Sequence, residues 1–68
     1  MVEILVTTGD EAIVKCKGEL YRVRFGETAL ADTAEKITST QANTIMAHGG
    51  WYSQVPYIMQ HRVEVLFN

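Results

Sequence analysis

Cys16, His48 and His61 are the side chains whose types could do covalent or metal chemistry. A zinc site needs about four Cys, His or carboxylate ligands. One cysteine and two histidines without a close-spaced ligand pair do not supply them, so no metal is expected. Cys16 would act as a nucleophile only with a histidine beside it to take its proton. The strand register derived below instead places it on an inner sheet face, as a small buried hydrophobe. Gly49-Gly50 follows a helical pattern rather than opening one and lacks the spacing of a phosphate loop. The carboxylates are dispersed, with no pair suited to acid/base work. His48 reads as a residue at a helix C-terminus, where a cation meets the dipole. No enzyme class and no cofactor is supported, and the expectation is a non-enzymatic protein.

Charge is the feature the sequence does concentrate. The stretch KCKGELYRVRF, residues 15–25, carries Lys15, Lys17, Arg22 and Arg24, four of six cationic residues in a chain of net charge −2. Their position depends on the elements around them. VEILVT (2–7), AIVKCK (12–17) and 20–25 alternate with the period of a strand. Gly18-Glu19 fits a two-residue hairpin loop. That loop sets Lys15 opposite Arg22, Val14 opposite Val23 and Cys16 opposite Tyr21. The first hairpin agrees if its loop is Gly9-Asp10-Glu11, because Val6 then meets Val14 and Ile4 meets Cys16. A two-residue loop there would put Leu5 opposite Val14 and break the pattern. Both turns sort the apolar residues to one side and the cations to the other.

Residues 28–47 switch to helical period, with Leu30, Ala34, Ile37 and Ile45 on one stripe. They form one helix of about five turns, or two short ones broken near Thr38, since Thr38-Ser39-Thr40-Gln41 fits a capping box. Pro56 argues against a central strand, so 51–60 reads as a loop. Residues 61–67 alternate again and read as a fourth strand. The fold class is therefore α+β: a single domain, 1–68, with a four-stranded β-β-β-α-β sheet in the order 3-2-1-4. The helix packs on one face.

With one face covered, the other is expected to be open, with the four cations beside Leu5, Ile13 and Leu20. Contiguous apolar groups of this kind mark docking surfaces. Trp51, Tyr52 and Tyr57 form a second candidate, because aromatic side chains anchor interfaces; the alternative for Trp51 is a plug at the end of a small core. The function expected is a protein-interaction module, an inhibitor or accessory protein, that docks on a larger partner with an acidic surface. Two other readings stand beside it. One is nucleic-acid binding, through the basic face or through 30–49 as a weak helix-turn-helix without Lys or Arg for phosphates on its second helix. The other is a homodimer or larger homo-oligomer. No apolar run reaches the roughly 18 residues of a membrane span. The MVEILV start lacks a positive segment, so a cytoplasmic location with Cys16 reduced is expected. In size and style the chain is similar to phage-encoded inhibitors of host machinery and to small accessory subunits.

Overall fold

The computed structural model describes Met1–Asn68. Strands β1 (Val2–Thr7), β2 (Glu11–Cys16), β3 (Glu19–Arg24) and β4 (Thr33–Ile37) are followed by helices α1 (Ser39–Met46) and α2 (Tyr57–Leu66). A single 3₁₀ turn, Ala29–Ala31, lies between β3 and β4. The sheet is a fully antiparallel meander in the order β1-β2-β3-β4.

The fold is α+β with four strands, but the strand order 3-2-1-4 and the single helix are both corrected. Two residue stretches account for the difference. The expected long helix over 28–47 is divided, and its first half supplies β4. Thr38 ends the strand and starts α1: its hydroxyl accepts the Gln41 N–H at 3.1 Å, and the Gln41 side-chain oxygen accepts the Thr38 N–H at 2.8 Å. That reciprocal box gives the peptide units around Thr38 partners that a continuous helix would have supplied. β4 in turn pairs the backbone of β3, which would otherwise be an open edge. Of the expected helical stripe, Ile37 is buried and Ile45 packs beside it, whereas Leu30 is almost fully exposed.

The expected fourth strand at 61–67 is helix α2. It begins at Tyr57, directly after Pro56, whose carbonyl accepts the N–H groups of Met59 and Gln60, each at 3.1 Å. Met59 and Val63, one helical turn apart, are buried on the sheet, and Leu66 and Phe67 pack beside them. The alternation of Val63, Val65 and Phe67 was misleading, because Val65 points outward and is half exposed.

The sheet is therefore covered on both faces. α2 closes a cluster containing Ile4, Ala12, Val14 and Val23. α1 closes the opposite one, containing Ile13 and Ile37, with Leu5, Val6 and Leu20 packed against it. Consecutive residues of β2, Ala12, Ile13 and Val14, are all fully buried, as a strand sandwiched between two layers requires.

Both hairpins differ from expectation: the second keeps every strand side chain on its expected face, whereas in the first Val6, expected inside opposite Val14, moves to the α1 side and Thr7 takes the α2 side opposite Ala12. The tip between β2 and β3 is Lys17-Gly18, with φ of 53° and 81°, rather than Gly18-Glu19. Two successive positive φ angles match the twist of the flanking strands. The resulting register sets Lys15 opposite Leu20, Val14 opposite Tyr21 and Ala12 opposite Val23. It differs by two residues from the expected pairing, so every side chain keeps its face. It also removes the repulsive contact of Lys15 with Arg22 and sets Glu11 opposite Arg24. In the first hairpin, the Thr8 N–H donates to the Glu11 carbonyl at 2.8 Å, leaving only Gly9-Asp10 at the tip. Such a short loop should put Leu5 opposite Val14. The register instead shifts between Ile4 and Val6, with Leu5 as the extra residue of a bulge. Ile4 thereby returns to Val14, while Leu5 and Val6 both serve the α1 cluster.

Candidate interaction surfaces

The expected open basic face does not exist as such, because α1 lies over part of it. Ile13 has no exposed surface and cannot touch a partner, and Leu5 and Leu20 are half-buried in the α1 cluster. Two of the four cations, Arg22 and Arg24, are also paired. The Arg22 guanidinium donates to Glu11 Oε1 through Nη2 at 2.8 Å and Nε at 3.2 Å, and Arg24 Nε lies 3.4 Å from Glu11 Oε2. Glu3 stands opposite Lys15, and Glu35 opposite Arg22. Three carboxylates thus share this face with Lys15, Arg22 and Arg24, leaving no net positive field to attract an anion. Lys17 lies at the hairpin tip, exposed, and neither it nor Lys15 makes an ion pair. On the opposite side of the sheet, Lys36 bonds Glu19 at 3.0 Å; this hydrogen bond and the Glu19 charge hold the Lys36 ammonium above its ordinary pKa.

The aromatic segment splits into two roles. Trp51 is the core plug: its indole N–H donates to the Ile45 carbonyl at 3.1 Å, and its ring packs in the α1 cluster. Tyr52 is held by its backbone, exchanging N–H···O bonds with Thr7 at 2.8 and 2.9 Å, and its side chain is 47% exposed. Tyr57, expected in a loop, is the first residue of α2 and is 86% exposed. Ile58 beside it is 70% exposed. The strand-like alternation of 61–67 hides Ile58 and Val65; on a helix they fall seven residues apart, on one outer stripe.

Tyr52 is paired to Thr7 at the end of β1, and Tyr57 and Ile58 open α2, whose Met59 lies against the same Thr7. Thr7 Oγ1 lies 2.7 Å from Met59 Sδ and 2.7 Å from the Glu11 carbonyl. Gly9, Pro56 and Ile58 line one concavity together with Phe25 and Arg62. Lys17 is at the far end of β2, some 17 Å away for five strand steps. Lys17 and the Tyr57–Ile58 corner therefore lie at opposite ends of the sheet, while Arg22 and Arg24, held by Glu11, lie toward the corner's end.

Arg62 falls in the segment expected as the fourth strand. It lies on α2 and reaches across to the β3–β4 connection. Its Nε donates to Asp32 Oδ2 at 2.9 Å, and Nη2 donates to Asp32 Oδ1 and to the Gly26 carbonyl at 3.0 Å. The Gly26 N–H donates to Asp32 Oδ1 at 2.9 Å, and the guanidinium carbon sits 5.3 Å from the Phe25 ring centre. A Cβ on Gly26 would overlap Ala31, so the chain can approach this closely only with glycine there.

Of the remaining chemistry, Cys16 is half-buried on the α2 side, opposite Val2 and Glu19, and no histidine lines the concavity beside it. No group of three or more His, Cys, Asp and Glu side chains converges. The helix-turn-helix geometry is absent: Leu30 lies in the 3₁₀ turn and Ala34 in β4, so no helix precedes α1. Gln41 is occupied by its capping box, and Thr44 Oγ1 donates to the Thr40 carbonyl at 3.1 Å. No helix is long and apolar enough to cross a membrane. No family model matches the chain, and no curated protein or solved structure matches it.

Proposed function

We propose that this chain is a non-enzymatic interaction module that docks on a larger protein, as an inhibitor or accessory subunit, through the corner formed by Tyr52, Tyr57 and Ile58. The carrying observation is the exposure of Tyr57 and Ile58, 86% and 70%, at the start of a helix whose opposite side is anchored in the core. Large aromatic and aliphatic groups held on a rigid helix lose little side-chain freedom on binding, which suits them as anchors. Val65 continues the stripe, so the partner suited to it has an apolar groove that receives one helix face. The balanced charge of the opposite surface leaves Lys15 and Lys17 as minor electrostatic contributors.

The test compares capture by the wild-type chain and two double variants in extract from its native cell. Tyr57→Ser with Ile58→Asp should lose a partner that Lys15→Glu with Lys17→Glu retains. The reverse pattern would return the site to the basic end of β2 and overturn this reading. Thermal denaturation of both variants controls for folding.

A further inference from the structure

The two edges of the sheet are treated differently. β1 is interrupted by the bulge at Leu5, and Thr7 at its end is already paired to Tyr52. β4 runs in unbroken register against β3 and has no neighbour on its other side. Thr33, Ala34, Glu35 and Lys36 are all exposed, and the strand contains neither Pro nor Gly. Every second residue of such an edge turns its N–H and C=O away from the sheet, where they can bond a further strand.

We propose that the β4 edge accepts an extended segment of another protein as a fifth, antiparallel strand, with a Lys or Arg of that segment opposite Glu35. The charge arrangement selects this occupant. Glu35 faces Arg22 across the ladder, but that guanidinium is engaged by Glu11, and Glu35 makes no ion pair of its own. Lys36, on the other side of the strand, is already held by Glu19. The one unmatched charge along the edge is therefore negative, and a cation directly opposite it is the favourable cross-strand pair. A second copy of this chain fits poorly: antiparallel pairing of two β4 strands with full overlap places Glu35 against Glu35. This surface is separate from the Tyr57–Ile58 corner and does not depend on it.

The experiment titrates the full, isotopically labelled chain with a blocked peptide of about seven residues, alternating Val and Thr around a central Lys, long enough to span an ordinary strand. Amide shifts confined to β4 and its β3 neighbours, with slowed exchange of alternate β4 amides, are expected. A peptide with Glu at the centre should bind about threefold more weakly, and Glu35→Lys should reverse that order. Absence of β4 shifts at millimolar peptide overturns the proposal, as do shifts that ignore the central charge. Dimerisation of the chain through β4 without peptide, seen by sedimentation, overturns it in favour of a second copy.

Discussion

Asp32 and Arg62 form a two-pronged ion pair in which the Asp32 side chain is 1% exposed and the Arg62 side chain 23%. The pair joins α2 to the connection between β3 and β4, and Gly26 completes it with one donated and one accepted backbone bond. Removing one member of a desolvated pair leaves the other unsatisfied, whereas replacing both with apolar groups costs far less. Asp32→Ala is expected to destabilise the fold by about 2–3 kcal/mol, below the fully buried range because Arg62 keeps some contact with water. A domain of this length is stable by only about 3–10 kcal/mol. Urea denaturation should show the loss, and Asp32→Leu combined with Arg62→Met should recover more than half of it. Equal losses in the single and double variants would mean that the pair does not hold α2.

Gly26 offers a separate test of the same junction. Gly26→Ala would drive a methyl into Ala31 and should cost about 1–3 kcal/mol, the usual penalty for overpacking. Ala31→Gly, introduced with it, removes the struck methyl and should restore part of the stability. A double-mutant cycle measures the coupling; additive effects would show that the two positions do not touch.

The Lys17-Gly18 tip holds a lysine at φ 53°, in a region that costs a residue with a Cβ about 1 kcal/mol. Asn tolerates that conformation, and Asn-Gly is the favoured pair for two successive positive φ angles. Lys17→Asn is therefore expected to raise Tm by about 3–6 °C in a chain of this size. If the tip were Gly18-Glu19, the substitution would give no such gain.

How much of this was legible follows from where local and tertiary signals agree. The three N-terminal strands and the sorting of Val14 and Val23 away from Lys15 and Arg22 follow from period-two alternation, and they survive a register two residues off because parity is unchanged. The capping box at Thr38 was readable because its partners are three residues apart. β4 was not, since Thr33–Ile37 is a strand only when the edge of β3 needs a partner, a relation absent from local spacing. Nor was α2: Val63 and Val65 alternate like a strand, and only burial distinguishes them. That second helix determines the surfaces, because with α1 and α2 on opposite faces neither side of the sheet is left bare. The Leu5 bulge was hidden for the same reason, as it reconciles a short loop with a core on each face.

Arg22 and Lys15 should behave differently although both were grouped as surface cations. Arg22 is half-buried with Glu11, while Lys15 is exposed and makes no ion pair. Arg22→Glu should destabilise by about 1–2 kcal/mol, through a lost charge-assisted pair and new repulsion with Glu11 and Glu35. Lys15→Glu should change stability by less than about 0.5 kcal/mol. Matching losses at the two positions would mean that Glu11 does not hold Arg22.

Thr38→Ala tests whether α1 covers the second face by virtue of its cap. The substitution removes the oxygen that accepts the Gln41 N–H, which should cost about 1 kcal/mol. α1 has only eight residues, too few to be stable without its cap and its contacts on the sheet. Fraying should reach Ile45, whose carbonyl holds the Trp51 indole, so the emission of the single tryptophan should shift to the red as the ring gains water. Thr38→Ser keeps the acceptor and should leave the emission unchanged. A red shift equal in both variants would place the cause in the lost methyl group, and α1 would then be held down by packing alone.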